Sequence, residues 1–401
     1  MSEISSQVST TPLIDEVANW IMESALGETE VEALVEGCFV RLHAAGIPLK
    51  RAHVGFRVLH PLYGSETVVW TPEGGAQVQR YPASIDDSDE WRRSPGYYLI
   101  STGTPFMRRR LTGPEAVLDF PVLADLAAAG GTDYLGYMVG FDAERRMGMV
   151  GSWMTDRETG FSDTDIRDLR RIQQRFAVAL KLQIKDQIAR NALTAYLGEE
   201  AGRQVLSGQI HLGEVQSIDA AIWYSDMRNS TGLADRMPAA DFLDLLNRYF
   251  ELSAGSVIRH GGQVLALIGD GVLAIFPIAP GRFGAGEASR AAIAAALAAR
   301  AGLAERQASE PGAFAELGFG IGLHVGRLQF GNIGVPERLQ FTVIGPAANE
   351  VARIEDLTKT VGSPIVASRA LVDLAGADWR SHGLRQLAGT SAPVEVLSPA
   401  R

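Results

Sequence analysis

Two apolar runs of this chain each end on an aspartate beside a tight turn, and this repeated pattern constrains the fold most. Residues 220–224 lead through Ser225 into Asp226, and residues 264–268 lead through Gly269 into Asp270. Apolar runs that stop at small or polar residues are typical of buried strands. Mg²⁺ binds through one or two carboxylates and takes water and phosphate oxygens as its other ligands. The pattern therefore suits a site that holds a divalent metal against phosphates.

The second aspartate has another interpretation, and a third segment bears on the choice. Asp-Gly is a strong hairpin signal, so Asp270 before Gly271 fits a hairpin turn as well as a metal site. Residues 341–353 contain Asn349 and Arg353, whose spacing of four places both on one face of a helix. On their own, Asn349 also fits a helix N-terminal cap and Arg353 a surface residue.

In this order, the three segments resemble the core of class III nucleotide cyclases, the adenylate and guanylate cyclase family, over residues 215–375. The resemblance implies that Asp226 and Asp270 bind two Mg²⁺ or Mn²⁺ ions per active site. It also implies that Asn349 orients the ribose, that Arg353 stabilises the transition state, and that these two face the metal acids of the other chain in a homodimer. Backbone N–H groups after the first acid are expected to cradle the phosphates at a helix start, in Met227, Arg228, Asn229, Ser230 and Thr231.

The base pocket departs from the pattern of the family. Adenylate cyclases of the family usually carry a lysine four residues before the second metal aspartate, where this chain has Ala266. The partner position is Thr342, which resembles a subset of bacterial adenylate cyclases. The expected enzyme is an adenylate cyclase-type lyase that makes cAMP from ATP. A cyclase for UTP, CTP or GTP stays open, because Ala266 leaves the pocket undefined, and so does a catalytically silent nucleotide-binding module.

Composition limits the remaining function classes. The 401 residues are enough for two or three domains, and 46% apolar with 21% charged residues is ordinary for a globular protein. We expect no membrane span and no secretory signal, and the single cysteine, Cys38, excludes an intramolecular disulfide. These features favour a cytoplasmic protein. The net charge of −10 argues against a nucleic-acid partner.

The expected fold class is α+β in both domains. Residues 1–12 are expected to be disordered, 13–160 to form a sensor-like regulatory domain of the GAF or PAS kind, and 216–401 to form the catalytic domain. The sensor-like domain is expected to respond to an unidentified small-molecule or protein signal. Its predicted elements are a helix over 30–45, strands over 52–60 and 66–70, and a hairpin of strands 134–141 and 147–153 across residues 142–146.

A long helix over residues 162–195 is predicted between the two domains, within a signalling and transducing segment of residues 161–215. Ser162 or Asp163 can cap it. One apolar stripe follows from residues at helical spacing, namely Ile166, Leu169, Ile172, Phe176, Leu180, Ile184 and Ile188. The stripe fits packing on the first domain or a coiled coil with a second copy. We favour the dimer-forming helix.

The catalytic block predicts a ferredoxin-like βαββαβ plan. Its predicted elements are a strand over 219–225, a helix over 239–259, a hairpin over 263–276, a helix over 285–306, a strand over 317–326 and a helix that carries Asn349 and Arg353.

Overall fold

The computed structural model describes residues 12–82, 84–85, 88–141, 147–208, 215–335, 337–388 and 392–400. Of the start expected to be disordered, residues 1–11 lie outside the described residues, as does the expected loop 142–146. The chain divides into two compact units, residues 1–192 and 193–401. Each unit combines helices with a largely antiparallel sheet, so the expected α+β class is confirmed.

Six helices and six strands of the N-terminal unit lie within the described residues, and its last helix continues past residue 192. The helices are α1 Pro12–Leu26, α2 Val31–Ala44, α3 Asp89–Arg92, α4 Pro95–Thr102, α5 Pro121–Ala128 and α6 Asp163–Leu197. The strands are β1 Arg51–Arg57, β2 Ser65–Thr71, β3 Gly75–Tyr81, β4 Phe106–Arg110, β5 Asp133–Gly140 and β6 Gly148–Thr155.

These strands form one antiparallel sheet in the order β3-β2-β1-β6-β5-β4. The pairing of β5 with β6 runs from Asp133 opposite Thr155 to Gly140 opposite Gly148, which confirms the predicted hairpin. Apolar residues of α1, α2 and α6 share one core with this sheet. The assignment of the unit as a sensor of the GAF or PAS kind stays a prediction.

Helix α6 begins at a reciprocal cap and buries its apolar stripe. The Ser162 hydroxyl accepts from the N–H of Asp165 at 3.2 Å, and the Ser162 N–H donates to the Asp165 carboxylate at 2.8 Å. All seven stripe residues lie in or against the core of the N-terminal unit. Pairing of this stripe with a second copy is therefore wrong, because its own unit already covers it. Residues 161–192 belong to the N-terminal unit.

The C-terminal unit has eight helices and eight strands within the described residues. The helices are α7 Glu199–Leu206, α8 Ser230–Arg236, α9 Ala239–Arg259, α10 Ala285–Ser309, α11 Pro311–Phe314, α12 Pro346–Asp356, α13 Thr358–Val361 and α14 Arg369–Ala375. The strands are β7 Val215–Met227, β8 Gln263–Ile268, β9 Gly271–Ile278, β10 Phe319–Val335, β11 Arg338–Ile344, β12 Ile365–Ser368, β13 Trp379–Arg385 and β14 Val394–Pro399.

The central strands of this unit follow the predicted order. The elements β7, α9, β8, β9, α10 and β10 succeed one another as strand, helix, strand, strand, helix and strand. Their strands lie side by side as β10-β7-β9-β8, each antiparallel to its neighbour. Strand β12 pairs in parallel with β10 and continues the sheet to β14 and β13, while β11 forms a hairpin with β10. This order puts β7 inside the sheet.

Side chains of β7 alternate between two buried faces. Ala221 and Trp223 lie in the larger core with residues of α9 and α10, whereas Ala220 and Ile222 lie in a smaller core with residues of α12. A strand covered on both faces shows a continuous apolar run, which explains its sequence. Within the described residues, no helix combines the length and apolar character needed to cross a membrane.

Candidate active site

Asp226 lies near the end of β7 on the face that points toward α12, because side chains alternate along a strand. Its register partners are Gly271 of β9 and Gly320 of β10. Since both partners are glycines, no side chain of a directly paired residue shields the carboxylate. Asp226 is consequently half-buried, whereas residues 220–223 of the same strand are fully buried.

Asp270 lies in the two-residue turn between β8 and β9. Gly269 opens the turn with a φ of 62°, a conformation that favours glycine. Because Gly271 pairs with Asp226, the turn brings Asp270 to the same end of the sheet. The carboxyl groups of Asp226 and Asp270 are close enough to interact, because the charge of Asp270 raises the pKa of the Asp226 carboxyl. The hairpin interpretation and the paired-acid interpretation are therefore compatible, because the hairpin itself brings the two acids together.

The electrostatics of this end of the sheet follow from the paired acids. Burial, and next the charge of Asp270, raise the pKa of the Asp226 carboxyl to about 6, while Lys359 and Arg228 act in the opposite direction. Burial, and next the charge of Asp226, raise the pKa of Tyr224 to about 12. Two ionised carboxylates this close repel each other. A divalent cation between them would remove that repulsion.

The ligands at this end of the sheet fit Mg²⁺ or Mn²⁺. Both metals prefer carboxylate oxygens, and Asp226 and Asp270 supply them. Within the described residues, no group of three or more His, Cys, Asp and Glu side chains is arranged to hold a metal. Water and phosphate oxygens would therefore complete the coordination, as is usual for Mg²⁺.

The loop after Asp226 fits the expected phosphate cradle only in part. The backbone N–H of Arg228 donates to the carbonyl of Gly318 at 2.7 Å, so this N–H group is not free to cradle a phosphate. The Met227 side chain is buried in the larger core. The positions that remain are at the start of α8, where the first N–H groups have no partner within the helix: Asn229, with a φ of 57°, Ser230 and Thr231.

The Arg228 side chain enters a buried cluster beside α12. Its Nη1 lies 3.2 Å from Oε1 of Glu355, and its Nη2 donates to the hydroxyl of Thr358. Burial raises the pKa of Glu355, whereas the charges of Arg228 and Lys359 lower it. Gly320 makes room for the cluster, because a Cβ there would lie 2.2 Å from Oε1 of Glu355.

This cluster was not predicted from the sequence, although the sequence contains one signal for it. Ala347, Val351 and Glu355 recur every four residues, so a carboxylate occupies the apolar stripe of α12. A buried carboxylate needs a cationic or hydrogen-bonding partner. That partner, Arg228, lies in a turn that is distant in the sequence. The stripe of α12 therefore predicts that a partner exists but does not identify it.

Asn349 and Arg353 lie together on the exposed side of α12. The opposite side of the helix is buried through Val351 and Ile354. The N-cap of α12 is Gly345, so the interpretation of Asn349 as a cap is wrong. Arg353 makes an ion pair of 3.9 Å with Asp356, and both side chains are more than half exposed. Since exposed pairs of this kind contribute little, this contact holds Arg353 only weakly.

A second hydrogen-bonded group fixes α12 on the sheet. The His324 ring on β10 contacts the Ser368 hydroxyl through Nδ1 at 2.9 Å and Glu350 Oε2 through Nε2 at 2.9 Å. Burial lowers the pKa of His324, while Glu350 raises it. Glu350 is the residue directly after Asn349 on α12, so its contact with His324 helps to set the position of the helix. Sequence analysis did not identify His324.

The two expected base-pocket residues lie on β8 and β11. Ala266 is half-buried and packs against the smaller core of the sheet, which Val343 also contacts. The backbone of Thr342 pairs with Gly331 of β10, and its side chain lies outside the described part of the structure. Ala266 therefore presents a small apolar surface, with no charge of its own, at the expected position of the base.

Comparison with known sequences finds relatives without an assigned activity. No family model matches the chain. A protein of Mycobacterium tuberculosis strain CDC 1551 is 36% identical over 186 residues, which cover 45% of this chain and 32% of that protein. A protein of strain H37Rv is 31% identical over 245 residues, which cover 60% of this chain and 41% of that protein. Both bear the name uncharacterized protein. The chain thus spans less than half the length of these relatives.

Comparison with solved structures finds nucleotide cyclases. The adenylyl cyclase CyaB from P. aeruginosa is 26% identical, with 47% of this chain and 97% of that chain covered and a TM-score of 0.42. The guanylyl cyclase Cya2 is 28% identical, with 47% and 93% covered and a TM-score of 0.38. A bacterial light-regulated adenylyl cyclase is 27% identical, with 46% and 91% covered and a TM-score of 0.40. These TM-scores are below 0.5, so the function proposed for this chain rests on its own residues.

Proposed function

We propose that this chain is a class III nucleotide cyclase. It converts a nucleoside triphosphate, with ATP favoured, to a 3′,5′-cyclic nucleotide and pyrophosphate. The observation that carries the proposal is the placement of Asp226 and Asp270 at one end of the sheet, where Asp226 pairs with Gly271 and the pKa of Asp226 is raised. Close carboxylates with a perturbed pKa are characteristic of functional sites, because such an arrangement costs stability.

Two divalent cations, Mg²⁺ or Mn²⁺, would be held by Asp226 and Asp270. Metal ions held by these residues would supply a lower pKa for the ribose 3′-hydroxyl and neutralisation of phosphate charge. The chain itself contributes the fixed positions of the acids. Strand β7 holds Asp226 by pairing with a neighbour on each side, and the tight β8–β9 turn holds Asp270. Partial burial excludes water from the acids and strengthens their attraction for a cation.

Asn349 and Arg353 complete the site from a second copy of the chain. Within the described residues, no hydrogen bond or ion pair joins either of them to Asp226 or Asp270 of the same chain. Their exposed positions on α12 leave both available to a partner. Arg353 would stabilise charge that moves onto pyrophosphate, an effect worth about 10²–10³ in rate, and Asn349 would orient the ribose.

The residues of the expected base pocket do not restrict the substrate to one nucleoside triphosphate. With Ala266 in place of a lysine, adenine would be held by weaker contacts from Thr342 and backbone groups. The same small residue gives UTP, CTP or GTP a place as the alternative substrate. Turnover of all four triphosphates with Mn²⁺ and with Mg²⁺, with products identified by mass, separates these substrates.

The decisive experiment mixes two inactive variants, Asp226→Ala and Arg353→Ala. If the site is shared, each mixed dimer carries one working site. Random mixing should then restore about a quarter of the wild-type rate, because about half of the dimers are mixed and each has one working site of two. Activity is measured as cyclic product by mass spectrometry, with dimer composition checked by native mass spectrometry.

A matched control mixes Asp226→Ala with Asp270→Ala. Both acids belong to the same half of the site, so no mixed dimer gains a complete set and no activity should return. Verified mixed dimers without recovery in the first mixture would contradict the shared site. Recovery in the control mixture would contradict the assignment of both acids to one chain.

We also propose that the N-terminal unit regulates the C-terminal unit in response to a small-molecule or protein signal. Deletion of residues 1–192 tests this better than deletion of residues 1–160, because the shorter deletion would expose the apolar stripe of α6. Specific activity of residues 193–401 should differ from that of the full chain, with the circular dichroism of a folded unit. Identical kinetics and dimerisation in both proteins would contradict regulation.

A further inference from the structure

A cavity of 260 Å³ opens beside the buried cluster of Arg228, between α10, α13 and the starts of β10 and β12. Three charged residues line it in the part of the chain that the structure describes, and all three are cations: Arg228, Arg300 and Lys359. Sites for drug-sized ligands usually occupy ~300–1,000 Å³, so this cavity suits a ligand smaller than a nucleotide. A small cavity lined by cations and by no carboxylate favours a small anion.

Arg300 is the one of the three cations that forms no ion pair with a carboxylate of the described residues. Its guanidinium lies 5.1 Å from the centre of the Phe319 ring, and its Nη1 donates to the Phe319 carbonyl at 3.2 Å. In the described part of the chain, no carboxylate forms an ion pair with it. Burial, and next the charge of Arg228, lower the pKa of Arg300. Two guanidinium groups therefore face the same cavity and repel each other.

Arg228 brings a second guanidinium group to the cavity. Its Nη1 is buried and forms an ion pair with Glu355 Oε1 at 3.2 Å, and its Nη2 donates to the hydroxyl of Thr358. An oxyanion in the cavity would be attracted to the positive charge of this group. Of the three positive charges, Glu355 balances that of Arg228. Lys359 contacts Asp356 at 3.1 Å, but both side chains of this pair are exposed. Such a pair is weak, so Lys359 can turn toward a ligand.

Two hydroxyl residues, Thr358 and Ser363, also line the cavity, and none of the described lining residues is acidic. Thr358 donates its hydroxyl to the Glu355 carbonyl at 2.5 Å, and Ser363 donates to the Ile365 carbonyl at 3.0 Å. Both hydroxyls are thus already used as donors, which leaves recognition to the cations. Guanidinium and ammonium groups that converge without a carboxylate are typical of sites for phosphate oxygens.

We infer that this cavity binds a phosphate-class oxyanion, inorganic phosphate or pyrophosphate, at Arg228, Arg300 and Lys359. The site is separate from the metal-binding acids, and it exists whether or not the chain is a cyclase. Lys359 and Arg228 also act electrostatically on Asp226, so an anion bound here changes the charge that the metal site experiences. Inorganic phosphate would come from the surroundings of the protein, whereas pyrophosphate is the second product of the proposed reaction.

The test is isothermal titration calorimetry of the full chain with inorganic phosphate and, separately, with pyrophosphate. EDTA is present and triphosphate absent, so the result does not depend on the proposed catalysis. Wild type should bind one anion per chain, and the tighter of the two anions identifies the source. Arg300→Gln and Lys359→Gln should each weaken binding about tenfold or more, since each removes a charged hydrogen-bond donor.

Arg290→Gln is the matched control, because Arg290 is an exposed residue of the same helix α10 and lies away from the cavity. It should bind both anions like wild type. Circular dichroism identifies any variant that does not fold, and Lys359→Gln changes only an exposed side chain. The inference is overturned if wild type shows no saturable binding of either anion, or if both cavity variants bind as tightly as Arg290→Gln.

Discussion

The two faces of the C-terminal sheet are both covered by helices, yet they differ in chemistry. Under α9 and α10, Trp223 and Phe276 are fully buried in a large apolar core. Under α12, a smaller apolar core gives way, toward the end of β7, to Asp226, Arg228 and Glu355. One strand supplies residues to both faces, because alternate side chains point in opposite directions.

The difference shows how a single strand serves both stability and chemistry. Removing a charge from water costs several kcal/mol unless the charge is paired. Charged residues therefore gather on one face, where they act on one another. On the other face, the hydroxyls that are buried find partners, as Ser225 does with Tyr249 at 2.8 Å. Substitutions on the two faces should consequently have different effects.

The largest expected effect is on activity, from Asp226→Asn and Asp270→Asn. Each removes a metal-binding charge, so cyclic product should fall by about 10³-fold or more. Circular dichroism should be unchanged, and thermal stability without metal should not fall, because the repulsion between the two acids is gone. Asp244→Asn on the exposed side of α9 is the control and should keep wild-type turnover. Normal turnover in either site variant would rule out the metal assignment.

The opposite face should respond through stability. Trp223→Ala should lower the free energy of unfolding by about 3–5 kcal/mol, because it leaves a large cavity in the core. Turnover per folded molecule should change far less. Urea denaturation followed by circular dichroism measures the first quantity, and the exposed Leu243→Ala should cost less than ~0.5 kcal/mol. If Trp223→Ala costs no more than this control, the two faces are not different in the way described.

Ala266 tests the base pocket at the margin of the α12 face. If ATP is the substrate, Ala266→Lys should raise kcat/KM for ATP by about 10–100-fold, since a charged hydrogen bond to adenine is gained. Ala266→Met has a long side chain without charge and should give no such gain. If wild type prefers UTP, CTP or GTP, the lysine should instead reduce turnover. Strict preference for ATP in the wild type, unimproved by lysine, would contradict the account of this pocket.

The smallest expected effect is the dependence of metal binding on pH. With the pKa of Asp226 at about 6, its carboxylate is mostly ionised at pH 7 and mostly protonated at pH 5. Mn²⁺ affinity should fall about tenfold over that interval, because a proton competes with the metal. Calorimetry at several pH values measures this, and an affinity that stays constant from pH 7 to 5 would contradict it.

The same pKa shift predicts an opposite trend for stability without metal. The folded-state pKa of Asp226 lies above that of an unfolded chain, so its contribution to the free energy of unfolding should increase as pH falls through 6 toward 4. Asp226→Asn should remove this contribution. The apolar face has no such group near its centre, so Trp223→Ala should leave the pH trend unchanged. A pH trend retained in Asp226→Asn would assign it to another group.

Local features of the sequence were enough to place the main elements. Alternation and apolar runs predicted β7, β8 and β9, helical spacing predicted α6, α9 and α12, and the Asp-Gly pair predicted the turn at Asp270. These signals act over a few residues, because backbone conformation and side-chain periodicity are local properties. The hairpin then brought Asp270 to Asp226 as the pattern of two strand-end acids required.

Contacts between distant segments were decided only by the tertiary structure. The apolar stripe of α6 predicts that this face of the helix is buried. It does not say whether the face packs on the helix's own unit or on a second copy of the chain. In the structure it packs on its own unit. Arg228 was expected to serve phosphate through its backbone, yet its N–H pairs with Gly318 and its side chain with Glu355. A buried charged residue requires a partner, but the amino-acid sequence does not identify which residue that partner is. That choice depends on which strands and helices pack together, and it is made by the fold as a whole.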